Sequence, residues 1–329
     1  MVEITYRDAL RQALQDAMRA DPTVIVIGEE VGLYGGAYGV TKDLIQEFGP
    51  ERLLDTPISE PAIIGAAVGA AMTGLRPVAE LMYVDFLGLT MDQLTNQAAK
   101  IRYMFGGQTG VPMVLRTQGG TGRSAGAQHS QSLEGWVMHT PGLRLAMPAT
   151  AEDAYHLLRH SLTLPDPVVF IEHKALYTMK EDANLDCPQA PWGRALVRRP
   201  GRDVTVVTYS RMVHYALDAA RTLAAEGIEA EVIDLRTLNP LDMETVAASV
   251  NRTGRAVALS EGVMTAGVAA ELAARITEEC FDYLEDPVLR IAGEDIPIPV
   301  SPLLESGSIP SPALIHDTIL RMVRPMVHS

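Results

Sequence analysis

Asp21-Pro-Thr-Val-Ile-Val-Ile27-Gly-Glu-Glu30 is the stretch on which the fold turns. Ahead of it, Tyr6 to Ala20 sets Leu10, Ala13, Leu14 and Met18 close to helical period, and Asp21-Pro22 closes that helix. Thr23 to Ile27 then reads as a short strand that is apolar throughout instead of alternating, and it runs into Gly28-Glu29-Glu30. A strand with no polar face is buried on both sides, as in a parallel sheet lying between helices.

The same alternation continues along the chain. Arg76 to Met82, Val111 to Thr117 and Pro167 to Glu172 read as strands, and Met91 to Arg102 and Ala151 to Leu162 as helices. From about Asn184 to Asp203 prolines and charges replace periodicity, which marks a boundary. A second series follows. Its strands are Val204 to Tyr209, Glu229 to Leu235, Ala256 to Ser260 and Val288 to Ala292. Its helices are Met212 to Ala225, Leu241 to Val250, Val268 to Glu279 and, last, Ala313 to Val323. The expected architecture is α/β: two open sheets with helices on both faces, with domains at 1–185 and 203–329 and a linker at 186–202.

Composition narrows the function. The chain has 329 residues, 47% of them hydrophobic and 21% charged, enough for two ordinary cores. With 27 Lys and Arg against 41 Asp and Glu the net charge is −14, which repels a nucleic-acid backbone or an anionic membrane. Cys187 and Cys280 are far apart and lack metal-ligand spacing, as expected of reduced thiols in a cytoplasmic protein. The N-terminus does not read as a signal peptide. Pro61 to Leu75 is apolar or small almost throughout but too short to span a bilayer, so it reads as a helix buried on all sides. Gly65, Ala66, Gly69 and Ala70 would let another backbone approach it closely.

Ligands of open parallel sheets sit at the carboxyl ends of the strands. Glu29-Glu30 after the first strand, Glu80 and Asp85-Phe86 around the Arg76 to Met82 strand, the loop Gly119 to His129 and Glu172-His173-Lys174 put polar residues at such ends, so chemistry is expected in the first half. Gly120-Thr-Gly-Arg-Ser-Ala125 formally matches a dinucleotide loop, and Gly122-Arg-Ser-Ala-Gly126 a nucleophile elbow. Neither has the strand–turn–helix setting its chemistry needs, which leaves a glycine-rich loop that presents something to a ligand. Pro61 fits the first helical position, placing Glu60 at the N-cap or one residue before it. Glu60 is then either a capping carboxylate or an acid with its pKa raised by apolar surroundings. His129, among small residues at a strand end, is a candidate for acid–base work.

Ile27-Gly-Glu-Glu-Val31, Gly35-Gly-Ala-Tyr38, Asp55-Thr-Pro-Ile-Ser-Glu60, Gly65 to Pro77, Ala127-Gln-His-Ser130 and His139-Thr-Pro-Gly142 together resemble the β subunit of the thiamine-diphosphate-dependent first component of 2-oxo acid dehydrogenase complexes. Glu231 to Asp242 and Ser260-Glu-Gly262 resemble the transketolase C-terminal domain of that subunit. The resemblance runs in order along essentially the whole chain.

It implies a pyrimidine-binding domain followed by a transketolase C-terminal domain. Glu60 matches the acid that shares a proton with the cofactor's aminopyrimidine and so helps activate the thiazolium, Phe86 the ring stacked on that pyrimidine, and Glu29 a second buried acid that relays protons. His129 matches the histidine that handles substrate and the acyl group bound for lipoamide. No Gly-Asp-Gly motif for diphosphate and Mg2+ occurs, so that half of the site is expected on an α subunit in an α2β2 heterotetramer. A K+ ion is possible near Arg159 to Asp166, where Pro165 departs from the family pattern. A lipoyl acyltransferase core would dock on the C-terminal domain, with Glu285 as one acidic contact.

The expected activity is oxidative decarboxylation of a 2-oxo acid, pyruvate before branched-chain acids or acetoin, with reductive acylation of lipoamide. A self-sufficient transketolase-class enzyme and a non-catalytic partner subunit are the alternatives.

Overall fold

The structure, a computed structural model, describes residues 1–324; the last positions of the expected 203–329 domain lie outside the described residues. The chain divides into two compact units, one of Met1–Gly119 with Trp136–Pro188, the other of Gly120–Gly135 with the chain from Gln189 onward. The segment 120–135, inside the range expected for the first domain, groups with the second unit.

In the first unit the strands are β1 (Val2–Thr5), β2 (Val24–Gly28), β3 (Leu53–Asp55), β4 (Arg76–Leu81), β5 (Val114–Gly119), β6 (Arg144–Ala146), β7 (Val168–His173) and β8 (Lys180–Ala183). Six of them form a parallel array in the order β6-β7-β5-β4-β2-β3, while β1 and β8 pair as an antiparallel ribbon. β2, β5 and β7 are buried at every position, because helices cover the array and leave no wet face. Helix Tyr6–Ala20 starts at Thr5, whose hydroxyl accepts from Asp8 N, and it packs on helix Ala151–Ser161. Tyr155 ties the two by donating to Asp16 Oδ2 at 2.8 Å.

Two helices differ from expectation. The helix expected at Met91–Arg102 begins at Leu87 and passes through a π-turn at Asp92–Ala98 before ending at Met104. Helix Glu60–Met72 buries only one face, through Ile63, Ile64, Ala67, Val68 and Ala71. Ala62, Ala66 and Gly69 are exposed, so the small residues are not required by anything this helix touches within the chain. A side chain at Gly69 would meet nothing within 4 Å.

The second unit holds β9 (Leu196–Arg199), β10 (Val204–Thr208), β11 (Ala230–Asp234), β12 (Ala256–Val263) and β13 (Leu289–Gly293). Their order is β13-β12-β10-β11-β9, parallel except for β9. Val204, Val206, Val232 and Leu259 face a core closed by helices Met212–Ala225 and Pro312–Val323. The intervening Thr205 points the other way and bonds Ser249 and Thr253 of helix Met243–Thr253, at 2.7 and 2.8 Å. Helices therefore cover both faces.

β9 lies inside the 186–202 stretch expected as linker. Its arginines, which read as linker composition, are the polar side of an antiparallel edge strand: Arg198 pairs with buried Asp234 at 2.9 Å and Arg199 with Glu229 at 2.5 Å. Among the described residues no helix is long and apolar enough to cross a membrane. Cys187 is exposed and Cys280 buried, and both are free.

Candidate active site

Parallel pairing sets polar residues side by side at one end of the first array. Gly28 on β2 is in register with Glu80 on β4, and Glu80 with Arg116 on β5. Gln118 on β5 is in register with Glu172 on β7, so Glu80, Arg116, Gln118 and Glu172 share one face. Glycine is required at 28 by this proximity, since a Cβ there would lie 2.8 Å from the Glu80 carbonyl oxygen.

Arg116 is wholly buried and bridges two acids. Its Nη1 donates to Glu80 Oε2 at 2.8 Å, and its Nε and Nη2 donate to the two oxygens of Glu172 at 2.6 and 2.8 Å. Tyr177 donates to Glu172 Oε2 at 2.5 Å. Burial raises the Glu80 carboxyl above its ordinary range, Arg116 opposes that, and Glu172 adds to it. Burial, followed by the Glu172 charge, raises the Tyr177 phenol well above its usual value.

Glu29 leaves the end of β2 half-buried. Its carboxyl is raised first by burial and then by the negative charges of Glu60, Glu30 and Glu80, which lie within electrostatic reach. The structure thus brings together two of the sequence-predicted residues, Glu29 and Glu60. Glu60 is the first residue of its helix, with Ser59 as the N-cap and Pro61 one place further in than expected. The first helical bond, Ile63 N to Ser59 O at 3.0 Å, fixes that frame. Proline is tolerated there because N–H groups of the first turn have no helical acceptor. Among the described residues Glu60 makes no hydrogen bond or ion pair within the chain, so its oxygens stand as acceptors at a helix N-terminus.

Phe86 closes the turn Val84–Phe86 after β4 and is half-buried, edge-on to Tyr83 with centroids 6.5 Å apart. Tyr83 has φ of +74°, costly for a residue with a side chain. It is held by its N–H to Gln118 Oε1 at 3.2 Å and by Lys174 Nζ, 5.3 Å over its ring. The strained Tyr83 sets where Phe86 stands.

His129, the remaining predicted residue, belongs to the second unit, in the glycine-rich loop. The loop closes at its base through Gly120 N to Gln131 O at 2.9 Å, and His129 N donates to Gly126 O at 3.2 Å. Beside it, within the second unit, lies a cavity of about 420 Å³ lined by Thr121, Ser130, Gln131, Leu133, Glu261 and Ile296 among others. Glu134, buried at the loop's far end, accepts from Tyr209 at 2.7 Å and leaves Oε2 without a partner. Burial raises its carboxyl above the ordinary range.

In the stretch expected to hold potassium, the carbonyl oxygens of Leu162 and Leu164 accept from Arg76 Nη1 at 2.7 and 3.3 Å, and Asp166 pairs with Arg102 and Arg144. Glu285, the expected acidic contact, pairs with Arg255 at 2.6 Å. Among the described residues no group of three or more His, Cys, Asp or Glu could hold a metal ion.

Sequence reasoning did not single out Arg116, Tyr177 or Glu305. Arg116 carried a usable signal, an arginine directly after the apolar run Val111 to Leu115 and inside the strand read at Val111 to Thr117, because a buried charge requires a buried partner. Glu305 carried none.

Residues 2–180 match the family model of the transketolase pyrimidine binding domain, and residues 193–315 that of the transketolase C-terminal domain. The chain is 48% identical over 312 residues to the pyruvate dehydrogenase E1 component subunit beta-1, mitochondrial, of Arabidopsis thaliana, covering 94% of this chain and 86% of that one. It is 45% identical over 323 residues to the acetoin:2,6-dichlorophenolindophenol oxidoreductase subunit beta of Cupriavidus necator, covering 95% of each. A solved structure titled split gene transketolase, inactive beta4 tetramer, shares the fold, with a TM-score of 0.81 at 22% identity over 97% of this chain and 98% of that one. The chain belongs to the transketolase-type family of oxidoreductase β subunits that includes those of pyruvate dehydrogenase E1 and acetoin oxidoreductase.

Proposed function

We propose that this chain is the β subunit of a 2-oxo acid dehydrogenase first component, which decarboxylates pyruvate and passes the acyl group to lipoamide together with an α subunit in an α2β2 assembly. The observation that carries the reading is Glu60, an acceptor without a partner at a helix N-terminus, beside Glu29 with its raised carboxyl.

The donor set suits the aminopyrimidine of thiamine diphosphate. A ring nitrogen that gains a proton needs an acceptor such as Glu60, and a flat apolar face suits the ring of Phe86. Once bound, the cofactor supplies the electron sink for decarboxylation. Everything else is protein chemistry. Glu60 holds or releases a proton at the pyrimidine nitrogen. Glu29, whose carboxyl is raised by burial and then by the charges of Glu60, Glu30 and Glu80, exchanges protons with Glu60 in this reading. The buried Arg116 keeps the carboxylates of Glu80 and Glu172 fixed beneath the site. His129 exchanges protons with substrate and acyl group.

Diphosphate and Mg2+ fall to the α subunit in this reading, which agrees with a net charge of −14 on this chain. Leu33, Tyr34 and Ile58, flanking the acids in sequence, are 88%, 70% and 79% exposed, and apolar surface of that kind supports a partner chain. The exposed small-residue face of helix Glu60–Met72 supports close approach by another helix. No step runs through potassium, since Arg76 engages the carbonyl oxygens of Leu162 and Leu164. Free cysteines agree with a cytoplasmic enzyme whose acyl product passes to a lipoyl acyltransferase core.

The test is reconstitution with the α chain from the same source, followed by assays with pyruvate, branched-chain 2-oxo acids and acetoin. Pyruvate is expected to give the highest kcat/KM, with no turnover by this chain alone. Preference for acetoin would move the chain to the second reading, to which the Cupriavidus necator relative lends support. Turnover without an α chain would overturn both.

A further inference from the structure

The loop Gly120-Thr-Gly-Arg-Ser-Ala-Gly126 has the composition of a phosphate cradle, yet it cradles carboxylates of its own chain. Every second residue is left-handed: φ is +80° at Gly120, +94° at Gly122, +52° at Ser124 and +78° at Gly126. Backbone of alternating hand turns successive N–H groups into one concavity that suits an anion. Glu305, 4% exposed, fills it. Its Oε1 accepts from Gly122 N at 2.9 Å, and its Oε2 accepts from Ser124 N at 3.0 Å and Ser124 Oγ at 3.3 Å. A second carboxylate, Glu261, accepts from both Thr121 N and Thr121 Oγ1, at 2.7 and 2.8 Å.

The dependence runs both ways. Among the described residues Glu305 has no cationic partner, so the loop's N–H groups are what make its burial tolerable. Conversely, Ser124 occupies a backbone region that side-chain-bearing residues rarely adopt, and the carboxylate rewards that geometry. His129 follows at once: its N–H bonds the carbonyl of Gly126, so the hand of Gly126 directs the turn that carries the imidazole. Loop, both carboxylates and His129 all lie in the second unit.

We propose that Glu305 and Glu261 are positioning residues that hold the 120–130 loop in its left-handed form and thereby set the place of His129. The catalytic half of this proposal rests on the function proposed above; the conformational half does not.

Hydrogen exchange on the full chain, alone and with its α partner, tests the conformational half. In Glu305→Ala the peptide covering 120–131 is expected to exchange at least ten times faster and trypsin to cut after Arg123, while β12 and helix Pro312–Val323 keep their protection. Glu305→Gln, which retains an acceptor oxygen, is expected to fall between alanine and wild type, and it serves as the informative variant if alanine loosens the whole unit. With the α chain, kcat is expected to drop at least tenfold in Glu305→Ala while KM for the 2-oxo acid changes less than threefold. Unchanged loop exchange in both variants overturns the proposal. A loosened loop with unchanged kcat also overturns it, provided His129→Ala is inactive; an active His129→Ala would instead remove the role assigned to that histidine.

Discussion

Arg116 and Glu172 face each other as a two-pronged pair, with N–O distances of 2.6 and 2.8 Å and both side chains fully buried. Breaking such a pair from one side strands a buried charge. Arg116→Met is expected to destabilise the protein by about 3–5 kcal/mol, seen as a lower denaturant midpoint. Glu80 sets the pH dependence. Its folded carboxyl lies above the unfolded value, so the folded state keeps a proton that the unfolded state has released, and stability falls as pH rises above the ordinary carboxylate range. Without Arg116 opposing it, the loss is expected to be larger at about pH 8 than at about pH 5. An equal loss at both would argue against Glu80 as its source.

Glu60→Gln keeps shape and acceptor but cannot share a proton in the same way. In the reconstituted enzyme turnover is expected to fall by about 10²–10⁴-fold, with thermal stability within about 0.5 kcal/mol of wild type because the side chain has no partner in the chain. Wild-type turnover would remove the role given to this residue.

Glu134 is buried with Oε2 unpartnered. Burial raises its folded carboxyl, so its contribution to stability declines as pH climbs through the window above the ordinary carboxylate value. Glu134→Gln does not titrate. It is expected to be more stable than wild type by about 1–3 kcal/mol at about pH 8 and nearly equal at about pH 5, as melting curves at the two pH values would reveal.

Gly142 has φ of +101°, and a Cβ there would lie 2.1 Å from the carbonyl oxygen of Ala99. Backbone must move to admit a methyl group. Gly142→Ala is expected to cost at least about 2 kcal/mol, measurable as a lower denaturant midpoint with an unchanged slope.

Much of the fold is legible in the sequence. Tyr6–Ala20 and Met212–Ala225 occur where apolar periodicity ends them, because a helix facing a core must place its apolar residues at that period. β10 and β11 were visible as apolar runs, while β9 was not, since an edge strand can be charged and needs no apolar pattern. Glu29 and Glu60 were singled out by their places after a strand and before a helix, whereas the roles proposed for them and for Phe86 came from the family resemblance.

What the sequence alone determined is local: element type, the order of strands and helices, and the short motifs that reveal kinship. Only the tertiary structure decided that Glu80, Arg116 and Glu172 form one buried cluster, because parallel pairing joins residues 36 and 56 positions apart. It likewise decided what the glycine-rich loop holds. Gly120 to Gly126 read only as a glycine-rich loop presenting something to a ligand, whereas its N–H groups hold Glu305, 183 residues from Gly122, and no local rule reaches that far.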